Sequence, residues 1–176
     1  MAAGLVIIDV QQDMFAIPGL APHDGNGVVE RIAGLIARAR AAGTPVFFVQ
    51  HDGGPNDPYF QPGTPGFDLP PSLAPLPGDD VTVKTRSSAF HGTDFDAKLK
   101  RAGVDHLIVT GMQSEYCIDS AIRGAVERGY KVTFVADAHS TFDTKVAKAT
   151  DIIAIQNDTM NGSFATVCKA ADLTAF

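Results

Sequence analysis

Three side chains in this 176-residue chain have types and settings suited to acyl transfer: Cys117, Asp9 and Lys84. Cys117 ends the segment Gly111-Met112-Gln113-Ser114-Glu115-Tyr116-Cys117, where an apolar run passes through a glycine turn into a helical pattern. Ser114 suits a helix N-cap, which predicts Cys117 at N3, inside the first turn. Unpaired N–H groups and the positive dipole end favour a thiolate there. The same N–H groups can hold an oxyanion. Glu115 shares the turn and opposes a thiolate, so a cation is needed, and Lys84 is its natural source. Asp9 interrupts the apolar run of residues 5–10. A carboxylate in such a run is costly unless paired, so Asp9 is expected to meet Lys84 and to accept a proton from Cys117. Each residue also has a plainer reading: a buried apolar cysteine, a structural ion pair, a solvated strand-end lysine.

Positioning these groups falls to a repeated strand–helix rhythm. Apolar runs predict strands over 5–10, 45–50, 81–84, 106–110, 131–136 and 164–167. Amphipathic stretches predict helices over 28–42, 94–102, 114–128 and 144–156. The strand runs lack alternation, which marks burial on both faces and hence a parallel sheet covered by helices. The expected fold is one domain over residues 1–176: a three-layer α/β/α, doubly wound, mainly parallel six-stranded sheet of Rossmann-like type. Sites in such sheets form beyond the carboxyl ends of the strands. That edge receives Asp9, then Gln50, His51 and Asp52, then Lys84, Thr85 and Arg86, then residues 111–117, then Asp137, Ala138 and His139. Residues 52–80 hold 8 of the 11 prolines and read as a long loop laid over the domain.

Composition narrows the function classes. The net charge of -6 and the absence of any basic run argue against nucleic-acid binding. The N-terminal apolar stretch has no basic start, and no run reaches the roughly 20 residues of a membrane span. Two distant cysteines are expected as free thiols in a cytoplasmic protein, with Cys168 as inert packing. No phosphate-cradling or dinucleotide signature occurs, so no cofactor is expected.

Four segments, LVIIDVQQDMF, VKTRSSAFHGTDFD, GMQSEYCIDSAIRGA and ADAHSTFD, together resemble the isochorismatase-like cysteine hydrolases, the superfamily of nicotinamidases and N-carbamoylsarcosine amidohydrolases. The resemblance spans nearly the whole chain, in order. It implies a Cys117–Asp9–Lys84 triad that cleaves a small-molecule amide, carbamoyl or lactam bond through a thioester. It also implies a cis peptide between Met112 and Gln113, an oxyanion hole from the N–H groups of Gln113 and Cys117, and assembly as a homodimer or larger homo-oligomer, with residues 52–80 as part of a cover. Nicotinamidases bind a metal through an aspartate and two histidines after the second strand. Here QHDGGPNDPYF offers His51 and Asp52 but no second histidine, so no metal is expected. True isochorismatases cleave a vinyl ether without a cysteine nucleophile, which sets Cys117 against that reaction.

Phe15, His51, Phe90, His91 and Tyr116 are the expected substrate-binding residues, with Gln113 facing the substrate and His139 bracing the active loops. Two other functions compete: a thiol redox protein using the same Cys117, and a non-catalytic binding module.

Overall fold

The computed structural model describes residues 2–174 and 176. Six strands, β1 (Ala3–Ile8), β2 (Val46–His51), β3 (Asp80–Lys84), β4 (His106–Met112), β5 (Lys131–Ser140) and β6 (Thr166–Cys168), form one sheet in the order β3-β2-β1-β4-β5-β6. Every neighbouring pair is parallel. The strand order reverses between β1 and β4, which makes that crevice the switch point where such sheets bind ligands.

The strands lack alternation because both faces are covered. Leu5 and Ile7 of β1 point into a core shared with helix α1 (Gly25–Ala41). Val6 and Ile8 point into a second core, shared with α2 (Phe95–Arg101), α3 (Asp119–Glu127) and α4 (Ala149–Met160). All four side chains are at most 1% exposed. Burial of each such side chain contributes roughly 1.5–3 kcal/mol, which commits the strand to the centre of the sheet. The proline-rich stretch packs on the α1 side, where Phe60, Leu69 and Leu73 join that core. Backbone bonds tie it to the exit of β1: Gln12 N–H to Asp68 O at 2.8 Å and Asp13 N–H to Gly66 O at 2.9 Å. No helix among the described residues is long and apolar enough to cross a membrane.

Four elements depart most from expectation. β4 and β5 run on to Met112 and Ser140, so Gly111 and residues 137–140 lie within strands. The ladder between them skips from Val109 to Gly111, and this irregularity carries both strands past the ends that their apolar runs suggest. The helix expected over 144–156 begins at Ala149. The Thr144 hydroxyl accepts the N–H groups of Val146 and Ala147, and the Asp143 carboxylate accepts that of Ala149, so side chains take the donors that a helix start would leave free. Ser114 is not the N-cap. Gln113 holds that position in extended backbone, and residues 114–118 form a single π turn ahead of α3. Cys117 is therefore the fourth residue of that turn.

Candidate active site

Three strand ends bring the predicted triad together. Asp9 follows β1 directly, and its N–H donates to Val49 O at 2.8 Å. Its φ of 52° is left-handed, a conformation few residues other than glycine, asparagine and aspartate accept. Opposite Ile8 in the register stands Gly111 of β4, with φ 124°. A Cβ there would meet the Ile8 carbonyl oxygen at 2.1 Å, so only glycine lets β4 press so closely against β1 below Asp9. β4 then leads through a cis peptide between Met112 and Gln113 into the π turn that carries Cys117. Lys84 ends β3 and pairs in register with His51. β3 is two strands from β1, about 10 Å at the usual spacing, so the lysine stem must lie across the end of β2.

It does. Lys84 Nζ donates to Asp9 Oδ2 at 2.6 Å and to Cys117 Sγ at 3.3 Å. Asp9 is 0% exposed and Lys84 1%. Burial opposes the charge on Lys84, yet the Asp9 carboxylate and the Cys117 sulfur outweigh it and hold its pKa above the usual lysine range. The thiol goes the other way. Burial, seconded by the Asp9 charge, pushes Cys117 up to about 12 against the pull of Lys84. Cys117 is thus held as a protonated thiol, not the thiolate expected from a helix start. Desolvation and the neighbouring Asp9 carboxylate outweigh the pull of the turn's N–H groups.

His139 braces the turn that carries Cys117. The Asn157 amide donates to Ala136 O at 3.1 Å, which leaves its Oδ1 to accept from His139 Nε2, also at 3.1 Å. His139 Nδ1 then accepts the Ser114 hydroxyl proton at 2.8 Å. The hydroxyl that would cap a helix is used to pin the turn to β5 and α4. Burial holds the imidazole pKa down to about 4. An unfolded chain takes that proton near 6.5, so the native state forfeits stability as pH falls through the interval between these values. The contribution is complete above pH 6.5 and approaches about 3 kcal/mol of loss by pH 4. Urea unfolding at pH 7.5 and pH 4.5 should show this acid sensitivity in the natural protein and a smaller one in His139→Gln.

Other predicted residues fall into three groups. His51 lies at the site. Its backbone N–H and C=O are clamped by the buried Gln11 side chain at 2.7 and 3.0 Å, its ring meets Phe60 edge-on, and its Nδ1 is buried without a partner. Burial, then the Lys84 charge, lowers its pKa, so the ring is neutral. Gln113 donates its side-chain amide to Thr141 Oγ1 at 3.4 Å, and Thr141 donates to Glu115 Oε1 at 2.8 Å. Tyr116 is 54% exposed on the turn that carries Cys117, and His91 is exposed on the loop after β3. Phe90 is instead a core residue. Its ring packs on Phe95 and Tyr130 and under the Arg128 guanidinium. Phe15 lines a separate cleft with Gln12, Asn26, Val29, Pro70 and Pro71, to which none of the triad contributes. Asp52 is engaged in its own turn, with Oδ1 accepting Gly54 N–H at 2.8 Å. Among the described residues no three His, Cys, Asp or Glu side chains are grouped to hold a metal ion. Gln11, Thr141 and Asn157 were not singled out by sequence. Only Gln11 carried a signal, an amide directly beyond a buried strand.

Comparison with known proteins agrees with this architecture. The isochorismatase domain model matches residues 3–172. The isochorismatase family protein YddQ of Bacillus subtilis is 36% identical over 172 residues, covering 95% of this chain and 96% of its own length. The ureidoacrylate amidohydrolase RutB of Methylobacterium radiotolerans is 32% identical over 169 residues, 76% of this chain and 65% of that protein. This chain thus spans slightly less than two thirds of the amidohydrolase. Among solved structures, an isochorismatase from Pseudomonas putida superposes with a TM-score of 0.90 at 32% identity, covering 98% of this chain and 90% of that one. With a domain match over nearly its whole length, on the fold just described, the chain belongs to the isochorismatase family of hydrolases.

Proposed function

We propose that the protein is a cysteine amidohydrolase that cleaves a small-molecule C–N bond through a thioester. The observation that carries this reading is the reach of Lys84 Nζ to both Asp9 Oδ2 and Cys117 Sγ. As Sγ attacks the carbonyl carbon, the thiol proton passes to Asp9, and Lys84 balances the charge shared between them. The N–H groups of Gln113 and Cys117 receive the developing oxyanion. Asp9 returns the proton to the leaving nitrogen as the C–N bond breaks. Asp9 then draws a proton from water, whose oxygen attacks the thioester. Collapse releases the acid and restores the thiol. An amidohydrolase among the relatives supports the same bond type. Redox sensing is less well served, because it requires a thiolate at rest.

The test is incubation of the natural protein with small amides, carbamoyl compounds and lactams. Release of ammonia or amine is expected, and rapid quenching should reveal an added acyl mass on the peptide containing Cys117. Hydrolysis that proceeds with no such adduct, at a rate unaffected by Cys117 alkylation, overturns the reading.

A further inference from the structure

Two neighbouring amides on α4 grip both ends of the turn that carries Cys117. At its start, the Asn157 amide donates to Ala136 O, so its Oδ1 accepts from His139 Nε2 at 3.1 Å. That fixes the imidazole proton on Nε2 and leaves Nδ1 as the acceptor for the Ser114 hydroxyl at 2.8 Å. Just past its end, Gln156 Nε2 donates to Asp119 Oδ1 at 2.8 Å. Ser114, His139 and Gln156 are all buried. The Phe134 ring lies against the imidazole with centroids 4.3 Å apart, which keeps the ring from swinging away. A buried network with its members satisfied rigidifies what it holds.

Within the turn, the N–H groups of Tyr116 and Ile118 donate to Gln113 O at 3.2 Å, and that of Asp119 donates to Ser114 O. Residues 113 and 114 are therefore the anchor from which the rest of the turn hangs. Single π turns of this kind are found mostly at functional sites. The N–H groups assigned to the oxyanion belong to Gln113, just before Ser114, and to Cys117, inside the turn. The sulfur is held separately, by Lys84 Nζ at 3.3 Å. The grip of α4 thus acts on the backbone donors more directly than on the thiol.

We infer that Ser114, His139 and Asn157 are positioning residues for acyl transfer: the imidazole acceptor holds the Ser114 hydroxyl, and through it sets the Gln113 and Cys117 N–H groups where the oxyanion develops. This deepens the amidohydrolase reading and rests on it. Donors aimed in advance cost no reorganisation during the reaction, and a misplacement of about 1 Å can cost about a hundredfold in rate.

The test compares a reaction that builds an oxyanion with one that does not. 4-Nitrophenyl acetate acetylates the thiol: Sγ bonds the acetyl carbon, the thiol proton goes to Asp9, and the C–O bond breaks to release 4-nitrophenolate. Iodoacetamide alkylates the same sulfur by displacement of iodide, with no oxyanion. Both rates are read on the peptide containing Cys117 in the natural protein, Ser114→Ala, His139→Gln and His139→Asn. His139→Gln keeps a donor for Asn157 but loses the acceptor for Ser114, and His139→Asn does the reverse. Acetylation is expected to fall at least about tenfold in Ser114→Ala and His139→Gln and no more than about threefold in His139→Asn, while alkylation slows in none of them. Acetylation unchanged in Ser114→Ala, parallel losses of both reactions, or equal losses in His139→Gln and His139→Asn overturn the inference and leave the amidohydrolase reading standing. A natural protein that iodoacetamide alkylates but 4-nitrophenyl acetate never acetylates on Cys117 overturns that reading, and the inference with it.

Discussion

Replacement of Cys117 by serine is expected to lower kcat for an amide substrate by about 10^4-fold while leaving binding nearly unchanged. The expectation follows from what the site does to the Cys117 thiol. The thiol is held protonated by burial and by Asp9, with its pKa near 12, so attack depends on handing the proton over as the bond forms. A serine hydroxyl gives up that proton far less readily, and the surroundings that already oppose a thiolate oppose an alkoxide more. The Asp9–Lys84 ion pair and the backbone N–H groups survive the change, so substrate still docks and some residual rate remains from positioning. The acyl adduct on residue 117 should become undetectable by intact mass. Stability should shift by no more than about 1 kcal/mol, since one small side chain is replaced by a near-isostere. Wild-type turnover in Cys117→Ser would overturn the thioester mechanism even if the fold and the ion pair are as described.

How far this site was legible in the sequence depended on whether a residue's meaning was local. Asp9 was legible because a carboxylate inside an apolar strand has few innocent explanations, and the ion pair it predicted is there. Cys117 was legible by position, because any group just beyond a central strand of a doubly wound sheet faces the ligand edge. Lys84 alone was not, since nothing in VTVK says that its stem crosses the end of β2. The charge state of the thiol was misread for the same reason. A helix start is visible in sequence, but depth of burial and distance to Asp9 are products of packing, and these outweigh the dipole. Ser114 shows the limit most plainly. Its type suits a cap, yet His139 lies 25 residues away in the chain and claims its hydroxyl. Phe90, next to polar residues on an active-edge loop, read as a pocket wall until Phe95, Tyr130 and Arg128 closed around it.

Asp9→Asn should separate proton transfer from thiol activation, because the two should move in opposite directions. Turnover is expected to fall by about 10^3-fold, within the usual range for loss of a positioned general base. The asparagine carbonyl can still accept from Lys84, so the geometry has a near-substitute, but it cannot take the thiol proton. At the same time a negative charge beside Cys117 disappears while Lys84 stays at 3.3 Å from the sulfur. Asp9 is among the causes that raise the thiol pKa and Lys84 among those that lower it, so the pKa falls in the variant. Iodoacetamide should therefore label Cys117 faster in Asp9→Asn than in the natural protein at pH 8, while hydrolysis slows. The variant also leaves a buried cation without its counter-charge. Breaking a buried pair costs about 3–5 kcal/mol in comparable cases, so urea unfolding belongs beside both rates. A folded Asp9→Asn protein in which labelling and hydrolysis fell together would mean that Asp9 merely holds the thiol in place. Faster labelling with slower hydrolysis identifies Asp9 as the group that moves the proton, and makes substrate docking, not thiolate formation, the event that commits Cys117 to react.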